Sequence, residues 1–227
     1  VEGSARVKHD SSFRKRIVKK GHKIKAGDLL TTSKKSSLVI ELLDKSTVVV
    51  DASSAIYFGV DKSLEHKEGK VFYKITSRSA KHALAIKTPF AIIGIKGTTF
   101  VIDAKKKAKV SLKEGLIGVK SLDKAFEVYT KKEKEDFNEY LSGEKKLFDK
   151  YQSYEQNYVI KYIKEFDLQA GNRVDFDGKK VKQEKLSTED KKEFDYFESK
   201  IPKKKEKIEF DIIEELITSN LIDNYIF

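Results

Sequence analysis

Short segments rich in β-branched and aromatic residues recur along the first 130 positions, and they constrain the fold more than any other feature of the chain. Residues 37–43 and 46–51 flank a polar Asp44-Lys45 turn, a pattern that predicts a β-hairpin. Further short strands follow at intervals of roughly 8–12 residues, separated by glycine or lysine turns. Regular spacing of this kind indicates an all-β arrangement rather than βαβ units. These further predicted strands are 70–75, 84–86, 90–95, 98–103, 108–112 and 116–120.

The spacing of the apolar residues changes after about residue 130. Between residues 131 and 157, aromatic and leucine residues recur every three or four positions, which predicts two helices separated near Ser142-Gly143. Residues 158–166 alternate again and predict a strand. We therefore expect a helical insertion over 131–157, followed by closing strands of the β-domain over 158–178.

The last part of the chain is predicted to be a helical region over 179–227. Ser187 is followed by Glu189 and Asp190, and a hydroxyl cap with carboxylates in the first turn favours the start of a helix there. Residues 208–227 have the spacing of an amphipathic helix. Its apolar stripe includes Ile213, Leu216 and Ile217, which are candidates for a protein interface.

The composition excludes several classes of function. The chain has no cysteine, so disulfides, thiol nucleophiles and thiolate metal sites are absent, and its four histidines lie in separate segments. No apolar run reaches the roughly 18 residues of a membrane span. We expect no metal site and no cofactor. Methionine is missing even at position 1, from which we expect an N-terminal signal or anchor to have been removed.

Candidate catalytic residues are few. Glu65, His66 and Glu68 form the nearest approach to a metal cluster, but we interpret them as an exposed turn in a charged hairpin. No nucleophile elbow occurs, and the segment after Gly97 forms a strand instead of the helix that a phosphate loop needs. We therefore expect a protein that is not an enzyme; a glycan hydrolase with two carboxylates is the weakest alternative.

Positive charge is concentrated in the first half of the chain. Residues 1–130 hold 27 of the 47 Lys and Arg residues but 13 of the 36 Asp and Glu residues, whereas residues 131–227 hold 20 and 23. Such a surface suits phosphates, acidic glycans or lipid headgroups. The alternative is that lysines protect the edges of strands from unwanted pairing. The candidate polyanion surface comprises Arg14, Lys15, Arg16, Lys19, Lys20, Lys23, Lys25, Lys105, Lys106 and Lys107.

One segment is more specific than these patterns. Residues 87–102, with the sequence KTPFAIIGIKGTTFVI, resemble the signature of FecR-domain proteins. The residues VSLKEGLIGV at 110–119 are similar to the hairpin that follows in that family, and LQAGNRV at 168–174 is similar to its closing piece. AGDLLTT at 26–32 is similar to an earlier piece, so the order of the pieces also agrees. The motif residues Gly94, Gly97, Thr98, Thr99 and Phe100 are interpreted as a structural corner.

The resemblance implies a mainly β FecR-like domain with a solenoid or rolled arrangement of strands. It further implies a periplasmic or secreted bacterial protein of the cell envelope, resembling stand-alone members of the family. No anti-sigma segment is present in the sequence, so control of a sigma factor is a secondary hypothesis.

Two functions follow as hypotheses. The first is a non-enzymatic module that binds another envelope protein in signalling or scaffolding, through its helical additions or through an exposed sheet edge. The second is a scaffold that binds a polyanion such as a glycan, peptidoglycan or lipid headgroups; no specific nucleic acid is expected. The aromatic candidates for the protein interface are Tyr140, Tyr151, Tyr154, Tyr158 and Tyr162.

Overall fold

The computed structural model describes residues 1–60, 63–76, 84–95, 97–105, 107–131 and 158–202. It confirms the prediction of a mainly β protein with a helix near its C-terminus. The strands are β1 (Ala5–His9), β2 (Arg16–Ile17), β3 (Asp28–Thr32), β4 (Leu38–Glu41), β5 (Thr47–Val50), β6 (Ala55–Phe58), β7 (Leu64–Lys74), β8 (Leu84–Lys87), β9 (Ile92–Ile95), β10 (Thr99–Ala104), β11 (Ala108–Glu114), β12 (Leu116–Lys120), β13 (Phe126–Lys131), β14 (Tyr158–Ile163), β15 (Glu165–Gln169), β16 (Asn172–Asp177) and β17 (Lys180–Lys185), and the helix is α1 (Thr188–Lys200).

The strands form one continuous hydrogen-bonded sheet that rolls over into two layers. The first layer has the order β2-β1-β3-β6-β7-β8-β9-β12-β15. The second layer has the order β4-β5-β7-β10-β11-β16-β17-β13-β14. Neighbouring strands are antiparallel except for the pairs β7–β8 and β13–β17.

Strand β7 belongs to both layers and joins them. Its first half pairs with β6, where Phe58 lies opposite Leu64, and its second half pairs with β5 and β10. The change of layer occurs at Gly69, which has a φ of +83°. A Cβ atom at this position would lie 2.2 Å from the Ser54 hydroxyl oxygen, so the corner requires glycine.

The main hydrophobic core lies between the two layers and contains side chains from both. Along β10, Phe100 and Ile102 face this core, whereas Val101 between them faces outward into a second apolar cluster. The same alternation in β7 turns Tyr73 inward and Phe72 outward. The middle strands of the second layer are therefore buried on both faces.

Helix α1 covers the outer face of the second layer. Ser187 caps the helix and forms a capping box with Asp190, as the sequence predicts. Phe194 and Phe197 are buried against Phe72, and the rings of Phe197 and Phe72 stack with centroids 5.6 Å apart. The helix thus contributes a third layer over part of the sheet.

Two expectations from the sequence differ from the structure, and two lie outside the described residues. The region 179–227 begins with strand β17, which pairs with β16 and β13, because Val181 alternates into the core. His66 is fully buried within β7, not part of an exposed turn. The predicted helical insertion, apart from Lys131 at the end of β13, and the predicted helix over 208–227 lie outside the described residues.

Candidate functional site

The motif residues lie where the two layers meet the turn between β11 and β12. Gly94 in β9 lies between Ala85 of β8 and Gly118 of β12 in the first layer. Thr98 exchanges two backbone hydrogen bonds with Ile75, at 2.9 and 3.1 Å. Thr99 begins β10 and lies in the second layer, so the short segment between Gly94 and Thr99 carries the chain from one layer to the other.

Two glycines allow the two halves of the motif to touch. Gly97 has a φ of +66° and Gly115 a φ of +89°. A Cβ atom on Gly115 would lie 2.4 Å from the Gly97 carbonyl oxygen and 2.7 Å from the Thr98 methyl carbon. The Thr99 hydroxyl also donates to Glu114 at 3.3 Å. These contacts connect the β9–β10 corner directly to the β11–β12 turn.

Phe100 packs inside the core in a row of aromatic side chains. Its ring stacks on Tyr73 with centroids 4.9 Å apart, and the Tyr73 hydroxyl lies 3.3 Å from His66 Nδ1. His66 Nε2 lies 3.1 Å from the Gly69 carbonyl oxygen. Burial lowers the pKa of His66 to about 4 and raises that of Tyr73, so both groups are neutral at pH 7. The sequence gave no periodic signal for His66 because charged neighbours surround it.

The candidate polyanion residues fall into two separate places. Residues 14–25 lie around β2, at one edge of the first layer, and the basic side chains among them are exposed. Lys105 and Lys107 lie exposed in the turn between β10 and β11, in the middle of the second layer, and Lys106 lies outside the described residues. The two groups are thus carried by different layers.

A small cavity of about 310 Å³ lies beside this second group. Aromatic rings form much of its lining, and Phe90 packs on Phe176 with centroids 4.6 Å apart. Lysine side chains lie around it, so an apolar floor meets a cationic rim. The lining includes Phe90, Phe126, Phe176, Leu122, Lys105, Lys124 and Lys179.

An ionic cluster that the sequence did not predict holds α1 on the second layer. Asp190 is 1% exposed and accepts hydrogen bonds from Lys109 Nζ at 2.7 Å and from Arg173 at 3.0 Å. Burial alone raises the pKa of a carboxyl group, but the hydrogen bonds from Lys109, Ser187 and Arg173 hold the pKa of Asp190 well below its usual range. The capping signal at Ser187 placed Asp190 on a helix, but not its partners on β11 and β16.

The candidate protein interface is described only in part. Tyr140, Tyr151, Tyr154, Ile213, Leu216 and Ile217 lie outside the described residues, and Tyr158 begins β14. Tyr162 is 70% exposed on β14. β14 is an edge strand of the second layer, paired with β13 and with no other strand among those described.

Within the described ranges no group of three or more His, Asp or Glu side chains is placed to hold a metal ion. In that same part of the chain, no helix combines the length and apolar character needed to cross a membrane.

Comparison with known proteins agrees with the motif. The model of the FecR protein family matches residues 28–118, which include β3 to β12, the Gly94–Phe100 corner and the turn at Gly115. The chain therefore contains a FecR domain, and the resemblance seen in its sequence is confirmed. No curated protein matches the chain.

Among solved structures, two crystal structures of a "putative anti-sigma factor" from Parabacteroides distasonis ATCC 8503, at 1.65 and 2.50 Å resolution, are similar to this chain. The identity is 12% in both, with TM-scores of 0.47 and 0.45. The similarity covers 71% of this chain and 61% of the other protein.

Proposed function

We propose that this protein is a non-enzymatic module of the bacterial cell envelope, periplasmic or secreted, that binds another protein in signalling or scaffolding. The FecR domain over residues 28–118 is the observation that carries this proposal. The motif residues support it, because Thr98 and Phe100 direct their contacts to other parts of the fold and line no open cleft.

The fold offers a rigid base from which partner-binding segments can extend. Lys131 at the end of β13 lies directly opposite Tyr158 at the start of β14, so both ends of the segment 132–157 are fixed side by side. Helix α1 is held by the Asp190 cluster and ends at Lys200, just before the segment 203–227. These two segments contain the aromatic and apolar candidates for the interface, and they are attached at separate places.

The exposed edge at β14 is a third element of the proposed interface. An edge strand presents unpaired backbone groups that an extended peptide can complete, and the side chains beside it supply selectivity. Tyr162 lies next to this edge with most of its side chain in solvent. Amphipathic aromatic side chains are enriched at protein interfaces because one end is apolar and the other forms hydrogen bonds.

The test compares the full chain with three variants in pull-downs from an envelope extract. In the first, residues 132–157 are replaced by Asn-Gly, a turn that closes a hairpin between directly opposed residues. The second ends after Pro202, and the third carries Tyr162→Ser. A chain with residues 132–157 in scrambled order controls for the composition of that segment. We expect one protein to be captured by the full chain and lost with at least one variant, and purified partner to reproduce the loss.

Two results would contradict the proposal. Capture of the same proteins by the full chain and by all variants would mean that none of the three elements forms the interface. Recovery of anionic material alone, released by salt and unaffected by any variant, would favour the polyanion scaffold instead.

A further inference from the structure

The segment between β1 and β3, residues 11–26, is here called the basic loop. Its two ends are held together at the base. The Asp10 backbone N–H donates to the Gly27 carbonyl at 2.9 Å, and the Lys25 N–H donates to Asp28 at 2.8 Å. His9 Nδ1 lies 2.9 Å from the other oxygen of Asp28. The basic loop therefore leaves the sheet from a fixed stem.

Two apolar side chains anchor the basic loop from within. Val18 is 3% exposed and Ile24 is 1% exposed, and both belong to the main core. The short strand β2 pairs with β1 between these anchors and the stem. Because the loop has its own buried residues, the side chains that it leaves outside are held outward by the fold.

Those outer side chains combine positive charge with exposed apolar surface. Phe13 is 101% exposed and Ile17 is 66% exposed. No acidic residue occurs between Asp10 and Asp28. Arg14, Lys15 and Lys19 are exposed, and within the described part of the chain their side chains have no ion pair.

We propose that the basic loop is a membrane-surface site. Its cations contact anionic lipid headgroups, and Phe13 and Ile17 enter the boundary between headgroups and acyl chains. This site goes beyond the proposed protein-binding function and does not depend on it. The combination of a strongly basic surface with large apolar side chains is the one that binds anionic bilayers peripherally.

Charge complementarity and the apolar residues together select this occupant. Protection of the β2 edge explains lysines but not Phe13, because an exposed phenyl ring makes an edge more adhesive. A soluble polyanion would satisfy the cations and leave Phe13 and Ile17 in water. A bilayer with anionic lipids offers partners for both kinds of side chain.

The absence of tryptophan from the chain permits a direct test of depth. In a Phe13→Trp variant the indole is the only one in the protein. We expect its emission to shift to the blue on addition of vesicles in which about a third of the lipid is phosphatidylglycerol, and not with phosphatidylcholine alone. A Tyr196→Trp variant, on the exposed face of α1, is the matched control and should show no shift.

Co-sedimentation of the full chain with the same vesicles measures the contribution of each group. We expect a loss of roughly five-fold in affinity for each cation removed, or about a hundred-fold for Arg14→Ser, Lys15→Ser and Lys19→Ser together. Phe13→Ser should cost about ten-fold while the charge is unchanged. The matched control removes three exposed lysines elsewhere, by Lys179→Ser, Lys191→Ser and Lys192→Ser, and should retain most of the binding.

Three outcomes would overturn the proposal. The first is no blue shift and no co-sedimentation with anionic vesicles. The second is equal binding to heparin and to vesicles with no effect of Phe13→Ser, which would identify a site for soluble polyanions. The third is vesicle binding by neither chain, together with loss of a purified protein partner in the Phe13→Ser variant, which would assign the basic loop to a protein interface.

Discussion

Replacing Asp190 with asparagine tests how strongly α1 is tied to the sheet. The carboxylate of Asp190 is buried and accepts hydrogen bonds from Lys109 and Arg173, and also from the Ser187 backbone and hydroxyl at 2.8 Å. Asparagine retains an oxygen that can accept the bonds from Ser187. The Asp190→Asn substitution therefore removes the charge and largely preserves the cap.

The expected cost follows from what the two cations retain. Breaking a buried ion pair costs about 3–5 kcal/mol because the partner remains uncompensated. Here Lys109 Nζ still lies 3.6 Å from Glu193, and Arg173 still pairs with Glu184 at 2.7 Å. We therefore expect the low end, about 3 kcal/mol at pH 7.

The effect should depend on pH in a defined direction. Because the pKa of Asp190 is lowered in the folded state, an unfolded chain binds a proton at this residue before the folded chain does. The contribution of Asp190 is complete above about pH 4, the ordinary carboxyl range, and is lost as the pH falls towards the folded pKa. The difference between wild type and Asp190→Asn should thus be smaller at low pH.

Urea unfolding, followed by circular dichroism at pH 7 and at low pH, measures these differences from the midpoint and slope of the transition. Asp195→Asn removes one exposed carboxylate from the same helix and should change the free energy of unfolding by no more than about 0.5 kcal/mol. If Asp190→Asn also falls within about 0.5 kcal/mol of wild type at pH 7, the ionic cluster does not hold the helix as described.

Three further predictions concern packing, backbone conformation and a buried histidine. Phe197→Ala should destabilise the protein by about 3–5 kcal/mol in urea unfolding, because it removes a ring that is 1% exposed and stacks on Phe72. Gly115→Ala should cost about 2–4 kcal/mol by the same measurement, since a Cβ atom would lie 2.4 Å from the Gly97 carbonyl at a φ of +89°. His66, with a folded pKa of about 4 against an ordinary 6.5, should make the protein lose about 3 kcal/mol of stability as the pH falls between these values, because the unfolded state takes up the proton first. Urea midpoints measured across this range should show the slope in wild type and lose it in His66→Gln.

Matched controls exist for each of these changes. Tyr196→Ala removes an exposed ring beside Phe197 and should cost far less. Gly178→Ala combines a φ of +61° with open space, so it isolates the cost of backbone strain from that of the clash. Equal costs for Gly115 and Gly178 would refute the close approach at the motif, and an unchanged slope in His66→Gln would show that another group titrates.

The sequence predicted much of the β-domain because strand alternation and turn residues are local properties. The hairpin at Asp44-Lys45 and the cap at Ser187 are both confirmed. His66 was misplaced because a strand that changes layer presents no simple alternation, and β17 was missed because Val181 is the one apolar residue in a charged strand. The motif at Gly94–Phe100 identified the FecR family, but its short segment could not show which elements it contacts.

The amino-acid sequence by itself determined the mainly β class, the family and the positive charge of the first half, since each depends on residue type and spacing along the chain. Only the tertiary structure decided that Asp190 meets Lys109, 81 positions away, and that Phe13 remains in solvent while Val18 and Ile24 are buried. The physical reason is that these features depend on how the two layers close over one core. The spacing of residues specifies a strand, but the packing of the layers determines which of its neighbours it meets.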